Sequence, residues 1–134
     1  AYNSRVLLDP SMTYQGIAAL ETWRDEIDAW EKFADWQWTA RFAYQVIEKR
    51  GTGGGGFRTM YADFLFQSSE MVPRIAELGL PRMMQETAAA WRDLAGALKS
   101  ASDESRPDFS SVKNKIAAVI RTERSYHTAA LDLP

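Results

Sequence analysis

The sequence contains no cysteine, no long apolar run and no large excess of charge of either sign. Without thiols the chain cannot form disulfides, thiolate nucleophiles or thiolate-based zinc sites. No apolar segment approaches the roughly 18 residues that a membrane-spanning helix requires. The 16 basic and 18 acidic residues give a net charge of −2, whereas nucleic-acid-binding domains usually carry a basic excess. These absences predict a cytoplasmic protein that binds neither nucleic acid nor a membrane.

Histidine is also scarce, because His127 is the single one in the chain. It follows Glu123 by four residues, so both can lie on one helix face, but a stable metal site needs three or four ligands. One histidine near the C-terminus also leaves a Ser-His-Asp set for nucleophilic catalysis as only a formal possibility. The residues therefore predict no metal, no cofactor and no catalytic residue in this chain.

Apolar residues are abundant, and from Thr13 onward they recur at steps of three and four, the spacing that lines one helix face. No segment shows the sustained alternation of a strand. The pattern predicts an all-α domain over residues 13–134, a bundle of four to five roughly antiparallel helices with a glycine-rich connection. Residues 1–12 are expected to be an extended lead-in from a missing upstream domain. The lack of an initiator Met agrees with excision or processing from a longer chain.

Charge is unevenly distributed between the first and last predicted helices. Residues 21–35 contain six carboxylates and two bases, whereas the last helix carries four bases against one acid. We expect these two helices to be neighbours, although surface ion pairs contribute only about 0–1 kcal/mol each.

Five of the eight glycines lie within residues 51–56. A P-loop would need Lys and Ser or Thr directly after the last glycine, where this chain has Phe57 and Arg58, and a dinucleotide fingerprint would need a preceding strand. Two alternatives remain. The segment is either a flexible connection whose glycines permit positive φ, or an anion site that combines free N–H groups at a helix start with two guanidinium groups. The residues of that anion site would be Arg50, Gly53, Gly54, Gly55, Gly56 and Arg58.

Five tryptophans are many for 134 residues. Trp36 and Trp38 are two positions apart and cannot share one helix face, so at least one of them should point away from the core. Tryptophans gather at interfaces and pocket mouths because the ring is apolar and the indole N–H needs a partner. Trp36 and Trp38 are therefore candidate interface residues, and a homodimer is one candidate assembly.

The segment IEKRGTGG at residues 47–54, followed by FRTMYADFL at residues 57–65, resembles the C-terminal helical domain of butirosin biosynthesis protein H-like proteins, a domain catalogued as of unknown function. The resemblance extends to a later tryptophan-containing helix, in which Trp91 would be that tryptophan. It covers most of the chain after about Ser11. The segment FQSS at residues 66–69 departs from the acidic and small residues expected there.

The resemblance implies a bacterial protein in which a domain of cysteine-peptidase-type fold precedes this one. The namesake is an acyltransferase that moves an aminoacyl group from a carrier protein's phosphopantetheine thioester to an aminoglycoside amine. This chain would then be a non-catalytic accessory domain that helps to bind the acyl donor or to shape the active site. Its partners would be the upstream domain and an acyl-carrier protein or phosphopantetheine-type ligand.

The resemblance also favours the anion site, since the N–H groups of the glycine run could meet a phosphate or an acyl carbonyl. The alternative function is a purely structural, dimerisation or protein-interaction helical domain with no ligand.

Overall fold

The computed structural model describes all 134 residues and contains helices but no strand. A 3₁₀ helix over Ile27–Lys32 lies between the second and third of seven α-helices. The α-helices are α1 (Tyr2–Leu8), α2 (Gly16–Glu26), α3 (Trp36–Glu48), α4 (Arg58–Ser68), α5 (Pro73–Glu77), α6 (Leu80–Asp103) and α7 (Ser110–Ala130). The all-α class is confirmed. None of these helices combines the length and the hydrophobicity that a bilayer crossing requires.

The two longest helices, α6 and α7, form the centre of the bundle. A loop of six residues joins them, and they run antiparallel, because Trp91 of α6 contacts Glu123 of α7 while Asp93 pairs with Lys115 at 3.7 Å. Helices α3, α4 and α5 pack against α6, and α1 and α2 pack against α7.

Two clusters of buried apolar side chains hold the bundle together. The larger contains 14 residues, including Leu94 and Leu98 of α6 and Ile116 and Val119 of α7, none of which is exposed. Burying each such side chain stabilises the fold by about 1.5–3 kcal/mol. The smaller cluster has seven residues and lies under α4 and α5, where Leu65 packs with its other members.

Residues 2–8 form a helix, so the prediction of an extended lead-in over residues 1–12 was wrong in conformation. Helix α1 packs against α7 and α2, and Leu8 packs against the larger cluster. The backbones of α1 and α2 approach closely, because a side chain on Gly16 would collide with the backbone of Leu7. A seven-residue helix is not stable alone, and these tertiary contacts, which the short sequence pattern does not reveal, stabilise it. A second additional helix, α5, begins at Pro73, which occupies its first turn.

The expected neighbourhood of the acidic and basic helices is confirmed. Arg124 of α7 pairs with Glu21 of α2 at 2.7 Å, and Lys113 of α7 pairs with Asp28 in the 3₁₀ helix. All four side chains are partly exposed to solvent, so these pairs orient the helices more than they stabilise them.

Candidate functional site

The glycine-rich segment is a hydrogen-bonded joint between α3 and α4. The five glycines have positive φ, and Phe57 continues the run with φ of 69°. The buried Thr52 hydroxyl donates to the Ile47 carbonyl at 2.7 Å, and the Gly56 N–H donates to the same oxygen at 2.9 Å. These bonds fold the segment back onto the end of α3 and fix its path.

Several amides of this joint already have partners within the chain. The Gly55 N–H donates to the carboxylate of Glu48 at 3.0 Å, and the Gly54 N–H donates to the Thr52 hydroxyl at 3.3 Å. An external anion that used these amides would have to displace the Glu48 carboxylate. The anion site therefore stays a prediction, and its amides are less available than the sequence suggested.

The two arginines that flank the joint have different surroundings. Arg50 donates to the Gln45 side chain at 3.4 Å, and its guanidinium lies 4.7 Å from the centre of the Phe42 ring. Arg58, the first residue of α4, instead pairs with Glu123 of α7. The two guanidinium groups thus have separate partners.

Glu123 is the centre of a buried polar cluster built from α4, α6 and α7. Its side chain is 3% exposed, and its Oε1 accepts from Arg58 Nε at 2.8 Å and from Trp91 Nε1 at 2.7 Å. The other oxygen, Oε2, lies 3.2 Å from Nε2 of His127. Arg58 is held further by a bond from Nη1 to the Gly56 carbonyl at 2.7 Å and by the Trp91 ring, 5.0 Å away.

The environment keeps Glu123 ionised. Burial alone would raise its pKa, but the hydrogen bond from His127, the positive charge of Arg58 and the bond from Trp91 outweigh burial, so the pKa lies below its ordinary value. An ionised carboxylate only accepts hydrogen bonds, so Nε2 of His127 carries the proton. In the neutral ring Nδ1 is then an acceptor. It lies 3.2 Å from the hydroxyl of Ser4, a buried residue of α1.

Two cavities flank this cluster. One, of about 300 Å³, has an apolar wall that includes Ile17, Leu20 and Trp23. The other, of about 320 Å³, is lined by residues that include Ser4 and Tyr61. Four residues line both cavities: Leu7, Arg58, Glu123 and His127. The polar cluster is therefore reachable from two sides.

Helix α4 carries large apolar side chains that the rest of the chain covers only in part. We define the outer face of α4 as Phe57, Met60, Tyr61 and Phe64, which are 55%, 55%, 43% and 57% exposed. Leu65 of the same helix is buried in the smaller cluster. Phe57 and Tyr61 also line the second cavity, so its rim belongs to the outer face of α4.

The two tryptophans of α3 point in different directions, as their spacing predicts. Trp36 packs against the larger cluster, with its ring 6.0 Å from that of Phe109 in an edge-to-face arrangement. Trp38 is 59% exposed and lies beside Phe42. Trp38 is thus available at the surface, and an interface role for either tryptophan stays a prediction.

No pattern in the sequence predicts that Ser4, Arg58 and Trp91 meet at the pair formed by Glu123 and His127. Glu123 and His127 contact each other as their spacing allows, but no third Asp, Glu or His joins them to form a metal-binding group. Ser4 lies 123 positions from His127 in the sequence, and only the folded chain brings them together. A signal for the cluster existed, since Glu123 continues the apolar face of α7, where an acid requires a partner.

A family model described as a domain of unknown function (DUF4872) matches residues 1–130 of the chain. The match begins at the first residue and therefore includes α1 with the rest of the bundle. No curated protein and no protein of solved structure gives a significant match.

Proposed function

The chain belongs to the DUF4872 family of domains of unknown function, and we propose that it is the accessory domain of a butirosin biosynthesis protein H-like enzyme. That enzyme would be acyltransferase-like or peptidase-like, with the nucleophile of its main reaction on a domain upstream of this one. The helical domain would pack on that upstream domain and help to bind the acyl donor, a carrier protein or its phosphopantetheine-type group, or shape the active site. The observation that carries the proposal is the exposed outer face of α4.

The outer face of α4 fits a protein partner better than solvent. Leu65 is buried in the smaller cluster, whereas Phe64, the residue before it, has a large apolar ring and is 57% exposed. Contiguous exposed apolar side chains on a soluble protein mark interaction surfaces. The partner should therefore present an apolar surface of its own.

Phe57 gives a second argument for contact outside this chain. It precedes α4 with φ of 69° and is the one non-glycine residue with positive φ. Such a conformation costs of order 1–3 kcal/mol for a residue other than glycine. Its ring is 55% exposed, so packing within the chain offsets little of that cost. Burying the part of Phe57 that is still exposed would contribute roughly half of the 1.5–3 kcal/mol that full burial of a Phe side chain provides.

The position of this surface also supports a role in ligand binding. Phe57 and Tyr61 lie both on the outer face of α4 and in the wall of the second cavity. A domain packed on this face would cover the mouth of the cavity and turn it into a site between two domains. Ligand sites occur preferentially at such domain interfaces.

Hydroxyl-radical footprinting tests the proposal, because Met, Tyr and Phe side chains oxidise readily when they are exposed. The same residues are compared in this chain and in the parent protein that contains the upstream domain. We expect oxidation of Met60 and Phe64 to fall in the parent protein towards that of Met84, which is 3% exposed. Phe66 and Tyr14, which are 69% and 99% exposed, serve as controls and should keep their reactivity.

Equal oxidation of Met60 and Phe64 in both proteins would refute the docking of an upstream domain on α4. Protection that appears in this chain alone as its concentration rises would instead favour the dimerisation alternative. Sedimentation equilibrium then measures the dimer directly.

A further inference from the structure

We propose that Ser4, His127 and Glu123 form a nucleophilic set that accepts an acyl group from a small activated ester. The set is continuous: the Ser4 hydroxyl lies 3.2 Å from Nδ1 of His127, and Nε2 of His127 lies 3.2 Å from Oε2 of Glu123. All three residues lie in α1 or α7. The proposal goes beyond the accessory role and does not depend on an upstream domain.

Each residue has the position that its role requires. A nucleophilic serine needs a base within hydrogen-bond reach, and the base needs a third group that orients it. Because Nε2–H donates a hydrogen bond to Glu123, the lone pair of Nδ1 is left to accept the Ser4 proton. The ring thus uses Nδ1 towards the serine and Nε2 towards the acid, the reverse of the arrangement in the serine proteases.

Glu123 acts mainly by orienting the imidazole. Arg58 pairs with the carboxylate at 2.8 Å and offsets much of its charge, so Glu123 stabilises an imidazolium less than an unpaired acid would. The hydrogen bonds from Arg58 and Trp91 also fix the position of Oε1 of Glu123. Fixed supporting groups of this kind hold a catalytic set in its productive geometry.

The second cavity gives a small substrate room beside the hydroxyl. Ser4 is 6% exposed but lines this cavity of about 320 Å³. Asn3 and Arg58 line the same cavity, and Nη2 of Arg58 makes no hydrogen bond within the chain. These groups are available donors for a carbonyl oxygen. Leu7 and Met84 in the same wall favour a short apolar acyl group.

The reaction balances without a cofactor. Oγ of Ser4 attacks the carbonyl carbon while its proton passes to Nδ1 of His127. The bond from that carbon to the alcohol oxygen then breaks, and the leaving alkoxide takes the proton from His127. Water attacks acyl-Ser4 with the same base, which releases the carboxylic acid and restores the serine.

The same hydrogen bonds would also serve to hold α1 against α7, and that structural role alone predicts an unreactive hydroxyl. Treatment with a fluorophosphonate, followed by peptide mapping, separates the two roles. We expect a phosphonyl group on Ser4 of the wild-type chain. Ser125 is the matched control, because it is exposed and its hydroxyl donates only to the Arg121 carbonyl at 3.0 Å. It should react only at the background rate.

Variants then test the base. His127→Gln should slow labelling of Ser4 by about 10²-fold, a modest value for the loss of a general base, whereas Ser125→Ala should leave labelling unchanged. Far-UV circular dichroism checks that each variant is folded. Labelling of Ser4 no faster than Ser125 in the wild-type chain would overturn the proposal whatever the variants do, and so would equal labelling in a folded His127→Gln variant. A burst of one p-nitrophenol per chain from p-nitrophenyl acetate, absent in Ser4→Ala, would support it independently.

Discussion

Replacing Arg58 by alanine leaves the buried carboxylate of Glu123 without its ionic partner. The substitution removes the 2.8 Å bond from Nε to Oε1, the 2.7 Å bond from Nη1 to the Gly56 carbonyl and the contact with the Trp91 ring. Glu123 keeps its bonds to Trp91 and His127. The variant therefore measures how much of the stability of the fold depends on this pair.

The structure sets the size of the effect. Removing one partner of a buried ion pair costs about 3–5 kcal/mol. The Arg58 side chain is 34% exposed, so water screens part of the interaction and the loss should lie at the lower end, about 3 kcal/mol. For a chain of this length about 3–5 °C of melting temperature corresponds to each kcal/mol, so we expect a decrease of roughly 10 °C.

Urea denaturation followed by far-UV circular dichroism gives the free energy of unfolding. In a Glu123→Gln background the same Arg58→Ala substitution should cost only about 1 kcal/mol, because no buried charge remains to be compensated. Arg82→Ala is the matched control. Arg82 also pairs with an acid, Glu86 at 3.2 Å, but its side chain is 86% exposed, so its loss should cost less than about 1 kcal/mol.

Equal costs of Arg58→Ala in the two backgrounds would refute the argument, because they would show that the arginine does not act through Glu123. The same variant also tests the anion site. If Arg58 serves mainly to bind an anion at the glycine-rich joint, calorimetric titration at low salt should show lost phosphate or sulfate binding with little loss of stability.

Three further predictions concern the same region. Glu123→Gln should reduce the loss of stability at acid pH. The lowered pKa of Glu123 contributes stability that is complete above the unfolded pKa of about 4.3 and is lost as the pH falls through the lower folded pKa. Urea titrations at a series of acid pH values give the free energy of unfolding, and the same dependence on pH in the variant and the wild type would contradict this. Gly55→Ala should lower the melting temperature more than Gly51→Ala, because its Cβ would lie 3.0 Å from the Ala88 carbonyl oxygen, whereas nothing lies within 4 Å at Gly51; equal decreases would contradict this. Trp91→Phe removes the 2.7 Å bond to Glu123 and should cost about 1.5–3 kcal/mol in urea denaturation, and a neutral effect would show that the bond does not stabilise the fold.

The long helices could be predicted from the sequence because their apolar residues repeat at helical steps. The spacing of Trp36 and Trp38 also predicted that at least one of the two rings would point away from the core. In the structure Trp38 is exposed, whereas Trp36 packs against the larger cluster. The pattern could not predict α1, because Val6, Leu7 and Leu8 are consecutive and show no period. That helix depends on contacts with residues more than a hundred positions away.

The candidate site was harder to predict, since its residues come from α1 and α7 at the two ends of the chain and from α4 and α6 between them. Arg58 beside a run of glycines suggested an anion site, but the fold directs its side chain to Glu123. The informative position was Glu123 itself, which follows Ile116 and Ile120 along one face of α7. An acid at such a position needs a cation and hydrogen-bond donors, although the sequence does not say which residues supply them.

From Gly53 to Phe57 five successive residues have φ between 56° and 84°, values that belong to the mirror image of an ordinary right-handed turn. Amino acids of natural chirality resist this path because their Cβ comes too close to the backbone. Glycine is achiral and follows it without that cost. Glycine is therefore concentrated here because the backbone between α3 and α4 follows a left-handed path. Stereochemistry thus accounts for the glycine content of this segment independently of the predicted anion site.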